Sequence, residues 1–235
     1  CNVSLASNVQ FKNVFVNSGA VFNLNGYKAS LNGTNFSSSG TLNMNNSYIE
    51  YNGAAAQNII TGLTYKGLII NNSAGVSITS GSLTVDDTLK ILSGFLNAGS
   101  SNVLLGTTGY LLENNGAVVK GTSGTISAVR TLTSPVSVNV AGLGATITSE
   151  ANLGATNISR GFTTYTINGS GSIKRYYNIS PANNSNLNAT LTYHYDDSEL
   201  NGLNESLLSL FRSTNAGTNW TTIGGAKNLE ANQIT

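Results

Sequence analysis

Short runs in which apolar and polar residues alternate recur through the first half of the chain, separated by turns rich in Asn, Gly and Ser. Alternation with a period of two is typical of β-strands that bury one face. Asn, Ser, Thr and Gly are poor residues for helix interiors, so we expect almost no helix. The alternation predicts strands at residues 9–16, 21–24, 41–44, 48–51, 68–70, 76–78, 83–85, 89–92, 103–105, 110–112 and 117–119.

Glycine returns at a nearly constant interval in the same half. A period near 20 residues is typical of stacked repeats, because one repeat cannot bury its own apolar face. The period predicts a parallel β-solenoid over residues 1–128, with about three short strands in each coil. Asn-Gly turns also favour hairpins, so an antiparallel sandwich of hairpins remains the alternative. One series, with steps of 21 and 22 residues, is Gly19, Gly40 and Gly62, and an offset series, with steps of 22, 19 and 22, is Gly53, Gly75, Gly94 and Gly116.

The pattern changes near Arg130. Pro135 interrupts a strand, the glycines lose their period and the alternating runs become longer. Longer strands joined by loops predict an antiparallel, immunoglobulin-like β-sandwich over residues 129–235, so the whole chain is predicted to be all-β. We expect Trp220, the one tryptophan, to fill the core of this sandwich. The predicted strands are residues 131–140, 145–148, 163–167, 173–179, 188–195, 207–212 and 219–223.

Charge is scarce in this chain and limits the functions that fit it. Only 9% of the residues are charged, and the net charge is +1. This balance excludes the strong basic surface that nucleic-acid binding requires. No apolar run is long enough to predict a membrane span. No signal peptide is visible, and the strand pattern is interrupted at both ends of the sequence, so we expect a segment of a longer protein. Cys1 is then either an ordinary residue or a lipidated one.

Four stretches of the second half carry a resemblance to a known group of proteins. In order, they are RYYNISP at 175–181, LNATL at 187–191, YDDSELNGLNE at 195–205 and RSTNAGTNW at 212–220. They resemble a module of very large secreted and cell-surface proteins of the Bacteroidetes type, many of which are exported by the type IX route. The resemblance implies an extracellular adhesin, fibre or stalk, with the secretion machinery as a partner, and it brings no catalytic motif.

One acidic cluster is a candidate metal site. Asp196, Asp197, Glu199 and Glu205 lie close together in sequence. Carboxylate, amide and backbone oxygens are the ligands that Ca²⁺ prefers, so these residues predict a calcium site, although their spacing differs from that of an EF-hand loop. The alternative is a solvated loop in which Asp and Ser side chains cap a short turn.

A second charged group lies in the repeats. Asp86 and Asp87 with Lys90 offer the carboxylates and the basic group that polysaccharide lyases on β-solenoids use, although no row of basic residues accompanies them. The alternative is an exposed turn. The tripeptide Asp87-Thr88-Leu89 also matches a short O-glycosylation pattern of the resembled group, which makes Thr88 a candidate modification site.

Tyrosines and asparagines in the repeats are candidates for surface roles. Sugar rings pack on exposed aromatic faces, and tyrosines of neighbouring coils are expected to point outward. The glycan-binding candidates are therefore Tyr27, Tyr48, Tyr51 and Tyr65. Asparagines at coil corners are predicted either to stack as amide ladders or to lie exposed in turns; they are Asn23, Asn25, Asn43, Asn45 and Asn46.

These observations predict a non-enzymatic structural or adhesive segment of a large extracellular surface protein or fibre. It would act as a rigid stalk or as a glycan-binding module, with surface glycans or further copies of itself as partners and no cofactor other than Ca²⁺. The alternative function is a carbohydrate-active β-helix enzyme or its accessory binding domain.

Overall fold

A computed structural model describes all residues, 1–235, and the fold is all-β, with 51% of residues in strands and 4% in helix. The chain divides into two compact units, Cys1–Ala128 and Val129–Thr235. No helix has the length and apolar character needed to cross a membrane. The helical residues form three short 3-10 helices, Val140–Gly142, Asp197–Glu199 and Glu205–Leu207.

The first unit is a β-solenoid of about six turns, which confirms the solenoid prediction. Its strands pair in parallel throughout, so the alternative of antiparallel hairpins is wrong for this half. The strands are β1 (Asn2–Ser4), β2 (Val9–Phe11), β3 (Val14–Val16), β4 (Val21–Asn23), β5 (Lys28–Leu31), β6 (Phe36–Ser38), β7 (Thr41–Asn43), β8 (Tyr48–Tyr51), β9 (Gln57–Ile59), β10 (Thr64–Ile78), β11 (Leu83–Asn97), β12 (Val103–Leu105), β13 (Tyr110–Glu113), β14 (Val118–Lys120) and β15 (Thr125–Thr133), which continues past Ala128.

Each coil has three sides, as the pairing of the long strand β11 shows. Strand β11 pairs in succession with β12, β13 and β14, so it passes along all three sides of its coil. Coils 1 to 3 contain β1–β3, β4–β6 and β7–β9; coils 4 and 5 are β10 and β11, and coil 6 contains β12–β14. The middle strand of each coil lies on what we call side 2. The aligned inward residues of side 2 are Val9, Ala29, Ile49, Leu68, Leu89 and Leu111.

The inward row of side 2 is the clearest part of the solenoid core. Ile49, Leu68 and Leu89 are completely buried, and Leu111 is 1% exposed. Burial of apolar surface contributes about 25 cal/mol per Å². Since each coil adds one such row member, the interior is continuous from coil to coil.

The two glycine series mark two corners of the coil, and at some of these glycines the neighbouring coil lies very close. A Cβ added at Gly40 would lie 2.3 Å from the carbonyl oxygen of Asn17 in the coil below. At Gly94, which also has a positive φ of +70°, the Asn72 carbonyl oxygen would be 1.9 Å away. Gly40 and Gly94 are therefore required by close backbone contacts between adjacent coils, whereas Gly19, Gly62 and Gly116 have open space and a positive φ, so there the period reflects turn conformation.

Amide ladders form in two places, one exposed and one buried. In the exposed ladder, the Asn43 amide donates to Asn23 Oδ1 (2.5 Å) and the Asn23 amide donates to Ser4 Oγ (3.0 Å). This agrees with the ladder predicted for those two asparagines. In the buried one, Asn72 Nδ2 donates to Gln57 Oε1 (2.8 Å) and Gln57 Nε2 donates to the Leu31 carbonyl (2.8 Å). The sequence did not reveal this second ladder, which joins coils 2, 3 and 4.

The strands of the second unit pair antiparallel with one another, in a five-stranded sheet of order β16-β17-β22-β26-β25, a β18–β21 pair and two short hairpins, β19–β20 and β23–β24. They are β16 (Val138–Asn139), β17 (Ala145–Thr148), β18 (Asn152–Gly161), β19 (Thr166–Ile167), β20 (Ser170–Gly171), β21 (Tyr176–Pro181), β22 (Thr190–His194), β23 (Leu210–Arg212), β24 (Thr221–Gly224), β25 (Lys227–Asn228) and β26 (Gln233–Ile234).

Trp220 lies outside the hydrophobic cluster of the second unit. That cluster centres on Ile173, Tyr195 and Ile234, with leucines packed around them. Trp220 is instead half-buried and packs edge-on against Tyr165. The prediction that Trp220 fills the core is therefore wrong.

Candidate functional site

Four of the solenoid candidates, Tyr48, Asp87, Thr88 and Lys90, meet on the outer face of side 2. Side chains alternate along a strand, so Tyr48 and Glu50 of β8 point outward while Ile49 points inward. The register sets β8 beside β5 and β10, and β10 beside β11. We call the resulting group the side 2 patch; its members are Lys28, Tyr48, Glu50, Asp87, Thr88 and Lys90.

One half of the side 2 patch is arranged around Asp87. The Tyr48 hydroxyl donates a hydrogen bond to Asp87 Oδ2 (3.2 Å), and the Thr88 hydroxyl donates to Asp87 Oδ1 (3.3 Å). Lys90 Nζ lies 5.8 Å from the centroid of the Tyr48 ring, within the range of a cation–π contact. Residues that the sequence singled out for sugar binding, modification and acid–base chemistry are thus brought together.

A glycine explains how Tyr48 reaches Asp87 across an intervening coil. A Cβ at Gly67 in coil 4 would lie 2.2 Å from the Tyr48 ring, so only glycine leaves room for it. On another side of the solenoid, the Phe95 ring covers Gly75 in the same way, with Lys120 Nζ 3.3 Å from its centroid. Because this arrangement recurs, covering a glycine of the adjacent coil is a structural role of Tyr48.

The other half of the side 2 patch is held by Glu50. Its Oε2 accepts from Lys28 Nζ (2.7 Å) and from the Ser30 hydroxyl (2.8 Å), and its Oε1 accepts from Asn71 Nδ2 (3.2 Å). Burial raises the pKa of Glu50, but the three hydrogen bonds and the Lys28 charge outweigh it, and the pKa is lowered overall. An ionised Glu50 therefore joins coils 2, 3 and 4.

Two predicted glycan-binding tyrosines are inside the solenoid. Tyr51 is 1% exposed and Tyr65 is fully buried, so the prediction that they project outward is wrong. Tyr51 is three residues from Tyr48 in one strand, and an odd separation places the two rings on opposite faces. Burial raises the pKa of Tyr51 to about 12 and that of Tyr65 well above its ordinary value. Tyr27 is exposed, in the turn before β5.

The charged groups of the side 2 patch are held in pairs and do not gather around one point. No three His, Cys, Asp or Glu side chains of the chain come together in a group that could hold a metal ion. Asp87 and Lys90 are both engaged with Tyr48, and Asp86 packs over Gly106 of the next coil. What the patch presents is hydroxyl, amine and carboxylate groups around one half-buried ring.

The acidic residues of the second unit do not converge either, so the geometry gives no support to a shared calcium site. Each carboxylate instead accepts a hydrogen bond from a protein donor. Asp196 caps the 3-10 helix Asp197–Glu199, as the turn-capping alternative anticipated. The donors are the Ser198 N–H to Asp196 (3.0 Å), Asn232 to Asp197 (2.9 Å), Arg175 to Glu199 (3.0 Å) and Tyr195 to Glu205 (2.7 Å).

Glu199 takes part in a buried ion pair that the sequence did not reveal. Arg175 Nε lies 2.8 Å from Glu199 Oε2, and the two side chains are 4% and 7% exposed. Arg175 also donates to the His194 carbonyl (2.9 Å), and Glu199 accepts from the Asp196 N–H (2.8 Å). Both partners lie in stretches that carry the resemblance, 175–181 and 195–205, so these stretches have a structural role.

Comparison of the chain with models of protein families, with curated proteins and with solved structures finds no match.

Proposed function

We propose that this chain is a non-enzymatic structural segment of a large extracellular surface protein or fibre, in which the solenoid acts as a rigid spacer. The observation that carries the proposal is the inward row of side 2, which runs in register from Val9 to Leu111 through six coils. Continuous backbone hydrogen bonding and a continuous apolar core resist bending and extension. Rods of this kind connect or display other parts of a protein.

For the second unit we propose an immunoglobulin-like sandwich. Its antiparallel pairs and its mixed aromatic and leucine cluster support this assignment. The proposed location at the cell surface, export by the type IX route and O-glycosylation at Thr88 rest on the resemblance of residues 175–220 and of the tripeptide at 87–89. Surface glycans and further copies of the chain are the proposed partners.

The contacts within the side 2 patch favour a non-catalytic role. Asp87 and Lys90 both contact Tyr48, and Glu50 is paired with Lys28, so these charged groups are already engaged within the protein. The alternative is a carbohydrate-active enzyme. That alternative predicts cleavage of a polysaccharide that depends on Asp87 and Lys90.

An assay of bond cleavage distinguishes the two functions. The purified chain is incubated with neutral and acidic polysaccharides, with and without Ca²⁺, and new reducing ends and unsaturated products are measured. We expect no release above a heat-denatured control. Release that disappears in both Lys90→Ala and Asp87→Ala, with their circular dichroism spectra unchanged, would overturn the proposal.

A further inference from the structure

Three aromatic rings of the second unit form a half-exposed cluster outside the core. Tyr165 contacts Tyr176 edge-on, with ring centroids 5.2 Å apart, and contacts Trp220 at 5.1 Å. Each of the three side chains is half-buried. We call them the three-ring cluster. Large aromatic surface that the core does not use, in a unit that has a separate core, is typical of a recognition site.

Glycines hold two of these rings in place. A Cβ at Gly161 would lie 2.2 Å from the Tyr176 ring, and a Cβ at Gly217 would lie 2.7 Å from Tyr165. Both glycine backbones therefore support a ring directly. Rings fixed before a ligand arrives lose little conformational entropy on binding.

The loop before Trp220 is also fixed by its own side chains. The Ser213 hydroxyl accepts from the Gly217 N–H (2.9 Å), and Asn215 Oδ1 accepts from the Asn219 N–H (2.9 Å). Residues 213–220 include no charged side chain, and their polar groups are hydroxyls and amides. The rings are thus bordered by neutral hydrogen-bonding groups.

The indole N–H of Trp220 is buried and has no hydrogen-bond partner. A buried donor without an acceptor destabilises the site that holds it. The unsatisfied donor therefore favours an acceptor oxygen close to Trp220.

We propose that the three-ring cluster binds a neutral carbohydrate. The C–H face of a sugar ring packs on aromatic faces, and its hydroxyls match the serine, threonine and asparagine groups of the 213–220 loop. A nucleic acid would need a basic surface, which a chain of net charge +1 does not offer. This site rests on the proposal that surface glycans are partners of the protein, and it is separate from the spacer role of the solenoid, so either can fail without the other.

The single tryptophan makes the site directly observable, because all indole fluorescence of the chain comes from Trp220. The full chain is titrated with soluble β-glucan, xylan and mannan, with polygalacturonate as an acidic comparison, and it is also run through gels that contain each polymer. We expect at least one neutral polymer to change the fluorescence in a saturable way and to retard the chain.

Substitutions assign the binding to the cluster. Trp220→Ala and Tyr165→Ala are each expected to weaken retardation by about tenfold or more, which corresponds to the loss of one ring contact. Trp220→Phe keeps a smaller aromatic ring, and it replaces Trp220→Ala in the binding test if Trp220→Ala does not fold. The matched control, Tyr110→Ala, removes an exposed tyrosine of the other unit and leaves binding unchanged. Absence of binding to every neutral polymer, binding to polygalacturonate alone, or full binding by folded Trp220 and Tyr165 variants would each overturn the proposal.

Discussion

Glycines of the solenoid are required for two different reasons, a positive φ angle or close contact with the adjacent coil. Alanine substitutions at matched positions distinguish these two reasons. Gly94 and Gly19 have similar positive φ angles, +70° and +74°, so alanine suffers similar backbone strain at both. That strain costs about 1–2 kcal/mol. Only at Gly94 would the new methyl group also meet a carbonyl of the adjacent coil, whereas at Gly19 there is open space.

We therefore expect Gly94→Ala to lower the free energy of unfolding by about 3 kcal/mol or more and Gly19→Ala by about 1–2 kcal/mol. Urea denaturation followed by circular dichroism measures both. Equal losses for the two variants would show that the coils are not in close contact at Gly94.

Glu50 makes the stability of the solenoid depend on pH in a defined direction. Its pKa is lower in the folded chain than its ordinary value, so the folded state favours the ionised form. The resulting stabilisation is complete above the unfolded pKa, about 4.3, and is lost as the pH falls through the folded value. Glu50→Gln removes the titrating group.

We expect the free energy of unfolding to fall less between pH 7 and pH 3 for Glu50→Gln than for the wild type. Gln10→Asn, at an exposed position of the solenoid that does not titrate, is the control and should keep the wild-type slope. An unchanged slope for Glu50→Gln would contradict the role assigned to this carboxylate.

At the scale of strands, side chains of the aligned inward rows should contribute more to the free energy of unfolding than outward side chains do. Leu68 is fully buried in β10, and Leu112 is 46% exposed in β13. Leu68→Ala is expected to cost about 2–5 kcal/mol, because it leaves a cavity inside coil 4. Leu112→Ala should change stability by less than about 0.5 kcal/mol. Thermal unfolding of both variants tests this, and similar melting temperatures would argue against an inward row at Leu68.

Alternation in the sequence located strands well where it was regular. The prediction of 48–51 matches β8 and that of 103–105 matches β12. Strand β5, Lys-Ala-Ser-Leu, was missed because two small residues hide its alternation. Strand β18 was missed because its apolar residues are few and Gly154 interrupts them. Tyr51 faces inward, against the prediction, because it lies three residues from the outward Tyr48 in the same strand and an odd separation reverses the face.

At the scale of the whole chain, the glycine period could predict the solenoid, but it could not predict the side 2 patch. Tyr48 and Asp87 are 39 residues apart, and their contact depends on two coil lengths at once. Coil steps vary along side 2, from 19 residues between Ile49 and Leu68 to 22 between Leu89 and Leu111. A period known only to within a few residues does not fix which outward side chains meet. The ion pair of Arg175 and Glu199 could not be predicted for a related reason. The two residues are distant in sequence, and they meet only in the folded second unit.

If the solenoid is a stack of coils that contact only their neighbours, force should remove it coil by coil. Ala29 and Ile49 occupy equivalent positions 20 residues apart, and an extended chain spans about 3.5 Å per residue, so one coil releases about 70 Å. The second unit, residues 129–235, has a core of its own and should open in one step of about 370 Å. Stretching the full chain in an atomic-force instrument between handles at its two ends measures these lengths. We expect steps of about 70 Å or small multiples of it beside one long step. A single event of about 450 Å for residues 1–128 would mean that the coils unfold as one unit, and the additive stack on which the spacer role rests would then be the wrong description.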